Sequence, residues 1–227
     1  MKRYELIFID LDETLMDFRK AERQALGLSF ARFGLAFSES SVIEYEEINS
    51  AVWRRLEKGE LDQETLKVER FRLLFGRLGA KTDPAAFSSA YLEALGKGAF
   101  LLPGAEEACA YLSRRYTLVV VTNGIKEVQR ARIHASPIEP YLSALVISEE
   151  AGSSKPDPAI FQWACDSLGL QDKGRMMMVG DSLSSDIQGG VNFGIDTCWF
   201  NPSGAANGTV LRPTLEIRKL SEIKNLL

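Results

Sequence analysis

Asp10 and Asp12 stand one residue apart in the stretch Tyr4-Glu-Leu-Ile-Phe-Ile-Asp-Leu-Asp-Glu-Thr-Leu15, directly after the apolar run Leu6 to Ile9. That run reads as a buried β-strand, so the two carboxylates fall on the turn at its carboxyl end, the edge at which α/β proteins bind ligands. Alternate residues of an extended segment point the same way. One carboxylate can therefore attack a substrate atom while the other donates or takes a proton. Taken alone, an Asp-x-Asp is also what an acidic, helix-capping turn looks like. What separates the two readings is whether the rest of the chain supplies a cation, phosphate-binding donors and a partner for a metal.

Three further strand ends supply them. Val119-Val-Val-Thr122-Asn123-Gly124 places a hydroxyl, an amide and a glycine at the start of a helix, where backbone N–H groups also suit a phosphate. In Gly152-Ser-Ser-Lys155-Pro156-Asp157-Pro158 the prolines restrict the loop and hold Lys155 as a point charge for a phosphoryl oxygen. Met177-Met-Val-Gly180-Asp181-Ser182 ends a buried run on Asp181, and Asp186 follows one helical turn later. With Asp10 these make a set of hard oxygen ligands suited to Mg²⁺; without a cation such carboxylates repel one another. Each residue has a plain reading by itself: a helix cap for Thr122, Asn123 or Asp181, a solvated side chain for Lys155. Together they are a nucleophile, an acid/base, phosphate donors, a cation and metal ligands, the parts of a phosphoryl-transfer site.

The elements that must position them follow from rhythm. From Pro103 onward, helical stretches (Ala105 to Arg114, Ile125 to Ile133, Ala159 to Leu168, Ser184 to Phe193) alternate with short apolar runs (Thr117 to Val121, Leu145 to Ile147, Met176 to Val179, Thr197 to Phe200). That alternation predicts βαβ units and a parallel sheet, an α/β core of Rossmann-like type to which the first strand belongs. Between lie four charge-rich segments of helical spacing: Phe18 to Phe33, Ser38 to Leu56, Leu61 to Leu78 and Asp83 to Leu95. Gly76 and Gly79 mark the end of the third, and Asp83-Pro84 the start of the fourth. The expected domains are a core of residues 1–16 and 99–227 and a helical bundle of residues 17–98. Inserted after the first strand, the bundle is a candidate lid over the carboxyl ends of the sheet. Asn201 to Gly208 reads as a surface loop.

Composition narrows the chemistry. A chain of 227 residues with 45% hydrophobic and 26% charged residues is ordinary globular protein, and its net charge of −4, with no basic patch, argues against a nucleic-acid partner. No apolar stretch reaches transmembrane length and Met1-Lys-Arg lacks a leader pattern, so no membrane partner and a cytoplasmic setting are expected. Cys109, Cys165 and Cys198 are unpaired in spacing and read as reduced core thiols. The one histidine, His134, falls on a helix surface, which disfavours zinc and serine-histidine chemistry. Carboxylates must do the work.

In order and type, Asp10-Leu-Asp12-Glu-Thr14-Leu, Thr122-Asn-Gly, Lys155-Pro and Gly180-Asp181 with Asp186 resemble the four motifs of the haloacid dehalogenase superfamily of phosphotransferases. The resemblance spans essentially the whole chain, with the bundle where that family carries its first type of cap. It implies that Asp10 attacks phosphorus and becomes an aspartyl phosphate, while Asp12 protonates the leaving oxygen and later activates water. It implies that Thr122, Asn123, Gly124 and Lys155 bind the phosphoryl group. Mg²⁺ would be held by Asp10, the main-chain carbonyl of Asp12 and Asp181, with Asp186 in support. The dehalogenases that name the superfamily lack the second aspartate and need no metal, so Asp12 points to phosphate chemistry. The segments from Leu145 to Pro156 and from Gly189 to Asn201 are more narrowly similar to the nucleoside 5′-monophosphatase branch, which favours pyrimidine and deoxyribonucleotides. The implied partner is a small phosphorylated substrate, a nucleoside monophosphate, bound by a monomer or weak homo-oligomer. Phe18, Arg19, Trp53 and Arg54 are candidates for contact with base or sugar. A phosphoglycolate phosphatase or sugar-phosphate mutase shares the same motifs, and a non-catalytic binding protein could keep the fold.

Overall fold

Leu6, Ile7, Phe8 and Ile9 are all fully buried, because β1 (Leu6–Ile9) is an inner strand of a six-stranded sheet. The other strands are β2 (Thr117–Thr122), β3 (Ala144–Ile147), β4 (Met176–Gly180), β5 (Asp196–Phe200) and β6 (Leu215–Ile217). They lie in the order β3-β2-β1-β4-β5-β6, and every pairing is parallel. The chain leaves β1 toward β2 and β3 on one side, then returns to place β4 on the other. That reversal opens a crevice at the carboxyl ends of β1 and β4, where an open parallel sheet takes its ligand. The structure, a computed structural model, describes residues 4–227; the opening Met1, Lys2 and Arg3, part of the stretch read for a leader, lie outside the described residues.

A strand buried on both faces needs apolar residues at every position, and β1 divides them by parity. Ile7 and Ile9 join Leu118, Val120, Met177 and Val179 on one face, packed by Ala105, Ala108, Cys109 and Leu112. Leu6 and Phe8 join Val119, Val121, Met176 and Met178 on the other, packed by Ile160, Phe161, Ala164 and Phe193. The helices that supply these layers are α5 (Ala105–Ser113), α8 (Ala159–Leu168) and α9 (Gln188–Phe193), with α6 (Lys126–His134), α7 (Ser148–Ala151) and α10 (Ile223–Leu226) completing the unit. Phe161 meets Phe8 edge-on at 5.3 Å and stacks on Phe193 at 5.5 Å. Each such buried side chain is worth about 1.5–3 kcal/mol over an exposed one.

The chain divides into two compact units, one of residues up to Phe18 together with Ala99–Leu227, the other Arg19–Gly98. The second unit is helical: α1 (Phe18–Arg32), α2 (Glu39–Glu57), α3 (Gln63–Leu78) and α4 (Pro84–Gly96). Their starts are written in short polar residues. Ser38 caps α2, the Asp62 carboxylate accepts from the Thr65 N–H at 2.7 Å, and Asp83 caps α4 with Pro84 in its first turn. Gly79, at φ 64°, ends α3 in the left-handed region; Gly76 lies inside that helix and does not end it. Phe30, Phe71, Phe75 and Phe87 form the centre, with Phe87 4.9 Å from Phe71 and 5.0 Å from Phe75. The fold is thus α/β with an inserted helical bundle. Among the described residues no helix is long and apolar enough to cross a membrane.

Two local expectations change. A sixth strand, β6, extends the sheet beyond the runs legible in the sequence. Asn201, read as part of a surface loop, is buried: its amide donates to the Ala205 carbonyl at 2.9 Å and to Glu216 at 2.8 Å, tying the loop to β6.

Candidate active site

Asp10 continues β1 by one hydrogen bond, its N–H donating to the Val179 carbonyl of β4 at 2.9 Å. That contact fixes its carboxylate over the crevice between the two strands. The chain then turns sharply: Glu13 takes a left-handed φ of 59°, and Leu15 and Met16 both donate back to the Leu11 carbonyl. A non-glycine residue in that region marks a turn held by its surroundings.

Lys155 arrives from the loop after β3 and is held by Asn123 at the end of β2. The Asn123 amide donates to the Lys155 carbonyl at 2.8 Å and accepts from the Lys155 N–H at 2.9 Å. The ammonium donates to Asp10 Oδ1 at 2.5 Å and to the Val121 carbonyl at 2.6 Å, and pairs with Asp186 Oδ1 at 2.8 Å. Two hydrogen bonds and that ion pair surround the ammonium, and the group is buried. Asp181, at the end of β4, is fixed by Thr14, whose hydroxyl donates to Asp181 Oδ1 and accepts from the Asp181 N–H, each at 3.1 Å. The Trp199 indole donates to the Asp181 carbonyl at 2.8 Å. Asp186 sits on the π-helical turn Leu183–Ile187 and accepts from the Ser182 N–H at 3.0 Å.

Carboxylate oxygens of Asp10, Asp181 and Asp186 all lie within 4.8 Å of one another. Burial first, then the neighbouring carboxylates, pushes Asp10 well above the usual carboxylate range despite Lys155. Burial and Asp186 push Asp181 up to about 7. For Lys155, burial works against the charged form, but Asp10 and Asp186 outweigh it and raise the ammonium above its ordinary value. Three carboxylates against one ammonium leave two negative charges uncompensated when all are ionised. The donors are hard oxygens, so the cluster fits a divalent cation of the Mg²⁺ type.

Asp12 faces elsewhere. Its carboxylate accepts from the Gln129 amide at 2.7 Å and is paired with the guanidinium of Arg132. Thr122 Oγ1, buried at the end of β2, accepts from the Gln129 amide at 2.9 Å and from the Gly124 N–H at 3.2 Å. With two N–H groups already donating to that oxygen, its own proton is left to donate elsewhere.

The structure therefore brings Asp10, Lys155, Asp181 and Asp186 into one cluster and Asp12, Thr122 and Gly124 into a second, with Asn123 bracing the lysine loop. The candidate specificity residues fall in both units. Phe18 belongs to the sheet unit, its ring 5.5 Å from the Arg132 guanidinium carbon, whereas in the helical unit Arg19 and Arg54 are exposed and Trp53 is half-buried. Sequence reasoning missed Gln129 and Arg132, which are fully buried, and Trp199. His134 is exposed at the end of α6, and Cys109, Cys165 and Cys198 are free and buried, as their sequence contexts predict.

Comparison with known proteins gives this geometry a context. Residues 4–194 match the family model of haloacid dehalogenase-like hydrolases. The chain is similar to the pyrimidine 5′-nucleotidase PynA of Streptococcus pneumoniae, at 33% identity over 99% of this chain and 95% of that protein. It is similar also to the pyrimidine 5′-nucleotidase YjjG of Escherichia coli, at 31% identity over 99% of this chain and 98% of the relative. Among solved structures, magnesium-bound YfnB of Bacillus subtilis, described as a HAD-hydrolase, superposes with a TM-score of 0.91 at 32% identity, covering 99% of both chains.

Proposed function

The chain belongs to the haloacid dehalogenase-like hydrolases, and from that premise we propose that it is a Mg²⁺-dependent phosphatase of nucleoside 5′-monophosphates, with pyrimidine nucleotides preferred. The observation that carries this reading is the convergence of Asp10, Lys155, Asp181 and Asp186 at the switch point of the sheet. Two full-length relatives that are pyrimidine 5′-nucleotidases support the choice of substrate. Free, buried cysteines support a cytoplasmic setting.

Asp10, Asp181 and the main-chain carbonyl of Asp12 would hold the metal, with Asp186 in support through Lys155. Bound there, Mg²⁺ supplies the positive charge that a carboxylate and a phosphoryl dianion need before they approach each other. Lys155, held between Asp10 and Asp186, adds to that neutralisation, and Thr122 donates its hydroxyl to a phosphoryl oxygen. Asp10 Oδ forms a bond to phosphorus while the ester P–O bond breaks, and Asp12 gives its proton to the departing nucleoside oxygen. Water then attacks the phosphorus of the aspartyl phosphate, loses a proton to Asp12, and releases inorganic phosphate and free Asp10. The helical unit acts as the cap that admits and selects the nucleoside.

Phosphate release with Mg²⁺ from a panel of ribo- and deoxyribonucleoside monophosphates, phosphoglycolate and hexose phosphates tests this, with Asp10→Asn as the blank. Preference for pyrimidine nucleotides is expected. Preference for phosphoglycolate would move the substrate assignment, and interconversion of hexose phosphates without release would replace hydrolysis by mutase chemistry.

A further inference from the structure

Two buried residues of α6 reach both the proton-transfer and the phosphate-binding groups of the proposed mechanism, and none of the four sequence motifs includes them. Gln129 and Arg132 are 1% and 0% exposed, one helical turn apart on the inward face of α6. Arg132 Nη1 donates to Asp12 Oδ1 and, at 2.9 Å, to Gln129 Oε1. Gln129 Nε2 in turn donates to Asp12 Oδ2 at 2.7 Å and to Thr122 Oγ1 at 2.9 Å. One amide group thus joins the acid/base to the phosphate-binding hydroxyl, and one guanidinium holds that amide in the required orientation. The seating is tight: a Cβ on Gly124 would fall 2.2 Å from Gln129 Nε2, so the glycine keeps open the place that the amide fills.

We propose that Gln129 and Arg132 are positioning residues that act through Asp12, fixing its carboxylate against the phosphoryl-binding hydroxyl of Thr122 so that the proton reaches the leaving oxygen. This rests on the phosphatase reading above. A displacement of about 1 Å in such a group costs on the order of a hundredfold in rate, and the loss falls only on steps in which Asp12 moves a proton. An alkyl ester such as a nucleotide needs that proton at the leaving oxygen; p-nitrophenyl phosphate, with a stable leaving anion, does not.

Single-turnover release of nucleoside and of p-nitrophenolate, with Mg²⁺, separates this from a merely structural role. Arg132→Met is expected to slow the nucleotide about a hundredfold with KM changed less than about threefold, and to slow p-nitrophenolate release less than about fivefold. In an Asp12→Asn background Arg132→Met should add nothing, because residues that act as a unit are not additive. Arg132→Lys should recover part of the nucleotide rate. Gln129→Met, which leaves the Arg132–Asp12 pair in place, carries the same expectations and decides the matter if Arg132→Met does not fold. Equal slowing of both esters, or the full loss added on top of Asp12→Asn, would overturn the proposal while leaving the phosphatase reading intact. A folded wild-type protein inert toward both esters would overturn the phosphatase reading and this proposal with it.

Discussion

In the sheet unit Lys155 lies between two carboxylates, Asp10 and Asp186, with Asp181 close by; in the helical unit Arg70 answers a single one, Glu22. Both ammonium and guanidinium are buried, and both clusters are knitted by hydrogen bonds. Arg70 donates to Asn49 at 3.2 Å and to the Tyr45 hydroxyl at 3.3 Å, while Asn49 and Tyr91 donate to Glu22 at 3.2 and 3.4 Å. The guanidinium also lies over the rings of Phe71 and Tyr91, at 5.1 and 4.9 Å. The helical cluster thus sets one guanidinium against the Glu22 carboxyl, with Arg70 Nε and Nη2 lacking hydrogen-bond partners among the described residues. The sheet cluster, with all its carboxylates ionised, carries surplus negative charge at the crevice of a parallel sheet. A buried polar network with matched charges organises a core; one with excess carboxylates either takes up protons or suits a cation. That difference, more than burial or pKa shift alone, is why we propose the sheet cluster as the site.

The largest effect that would sharpen the contrast is at the nucleophile. Asp10→Asn should lower phosphate release by about 10⁴-fold or more, since the amide cannot attack phosphorus. Thermal stability should hold or rise, because a buried charge is removed from a crowded cluster; steady-state kinetics with a melting curve checks both. Next comes Lys155→Met, which leaves the carboxylates without their cation and should cost about 3–5 kcal/mol in chelator. Urea unfolding with and without Mg²⁺ should show that the metal recovers part of this loss, which the cluster around Arg70 would never do.

Metal removal comes third. Chelator should abolish turnover, and its thermal penalty should grow with pH. Asp10 and Asp181 bind protons more tightly folded than unfolded, so their stabilising contribution is present at acid pH and lost as pH rises through about 7 for Asp181. Saturating Mg²⁺ should restore about 2–3 kcal/mol at a hundredfold excess over its Kd. The smallest effect belongs to the helical unit. Burial holds Glu22 up to about 7 despite Arg70. Its contribution is likewise present at low pH and lost as pH rises through about 7, by at most about 1.4 kcal/mol per pH unit. Glu22→Gln should flatten that slope in thermal melts, with Mg²⁺ saturating in both samples, and leave the chelator effect unchanged.

Much of this was legible in the residues. Asp10, Thr122 and Asp181 follow apolar runs that could only be buried strands, and a parallel sheet brings such strand ends together. The helical starts at Ser38, Asp62 and Asp83 are equally local, because a short polar side chain satisfies the free N–H groups beside it. Gln129 and Arg132 were hidden by their types, which on a charged helix read as solvated. Their signal was positional: with Val128 and Ile133 they complete the one buried stripe of α6. Glu22 and Arg70 occupy the same kind of place, beside Ala21, Ala25 and Leu26 and beside Leu66, Phe71 and Leu74. A polar residue on an apolar stripe is the clue in both units. Strand β6 gave none: three residues with an exposed Glu216 at the centre carry too little pattern, and only the neighbouring β5 makes them a strand.

The most direct test of the central claim is to quench the wild-type protein in acid during turnover of a pyrimidine nucleoside monophosphate with Mg²⁺, and to locate the phosphoryl group by peptide mass spectrometry. A phosphoryl group on Asp10, absent from Asp10→Asn, is the expected result. Steady phosphate release with Asp10 unmodified, or with the group on another residue, would contradict the assignment of Asp10 as the nucleophile.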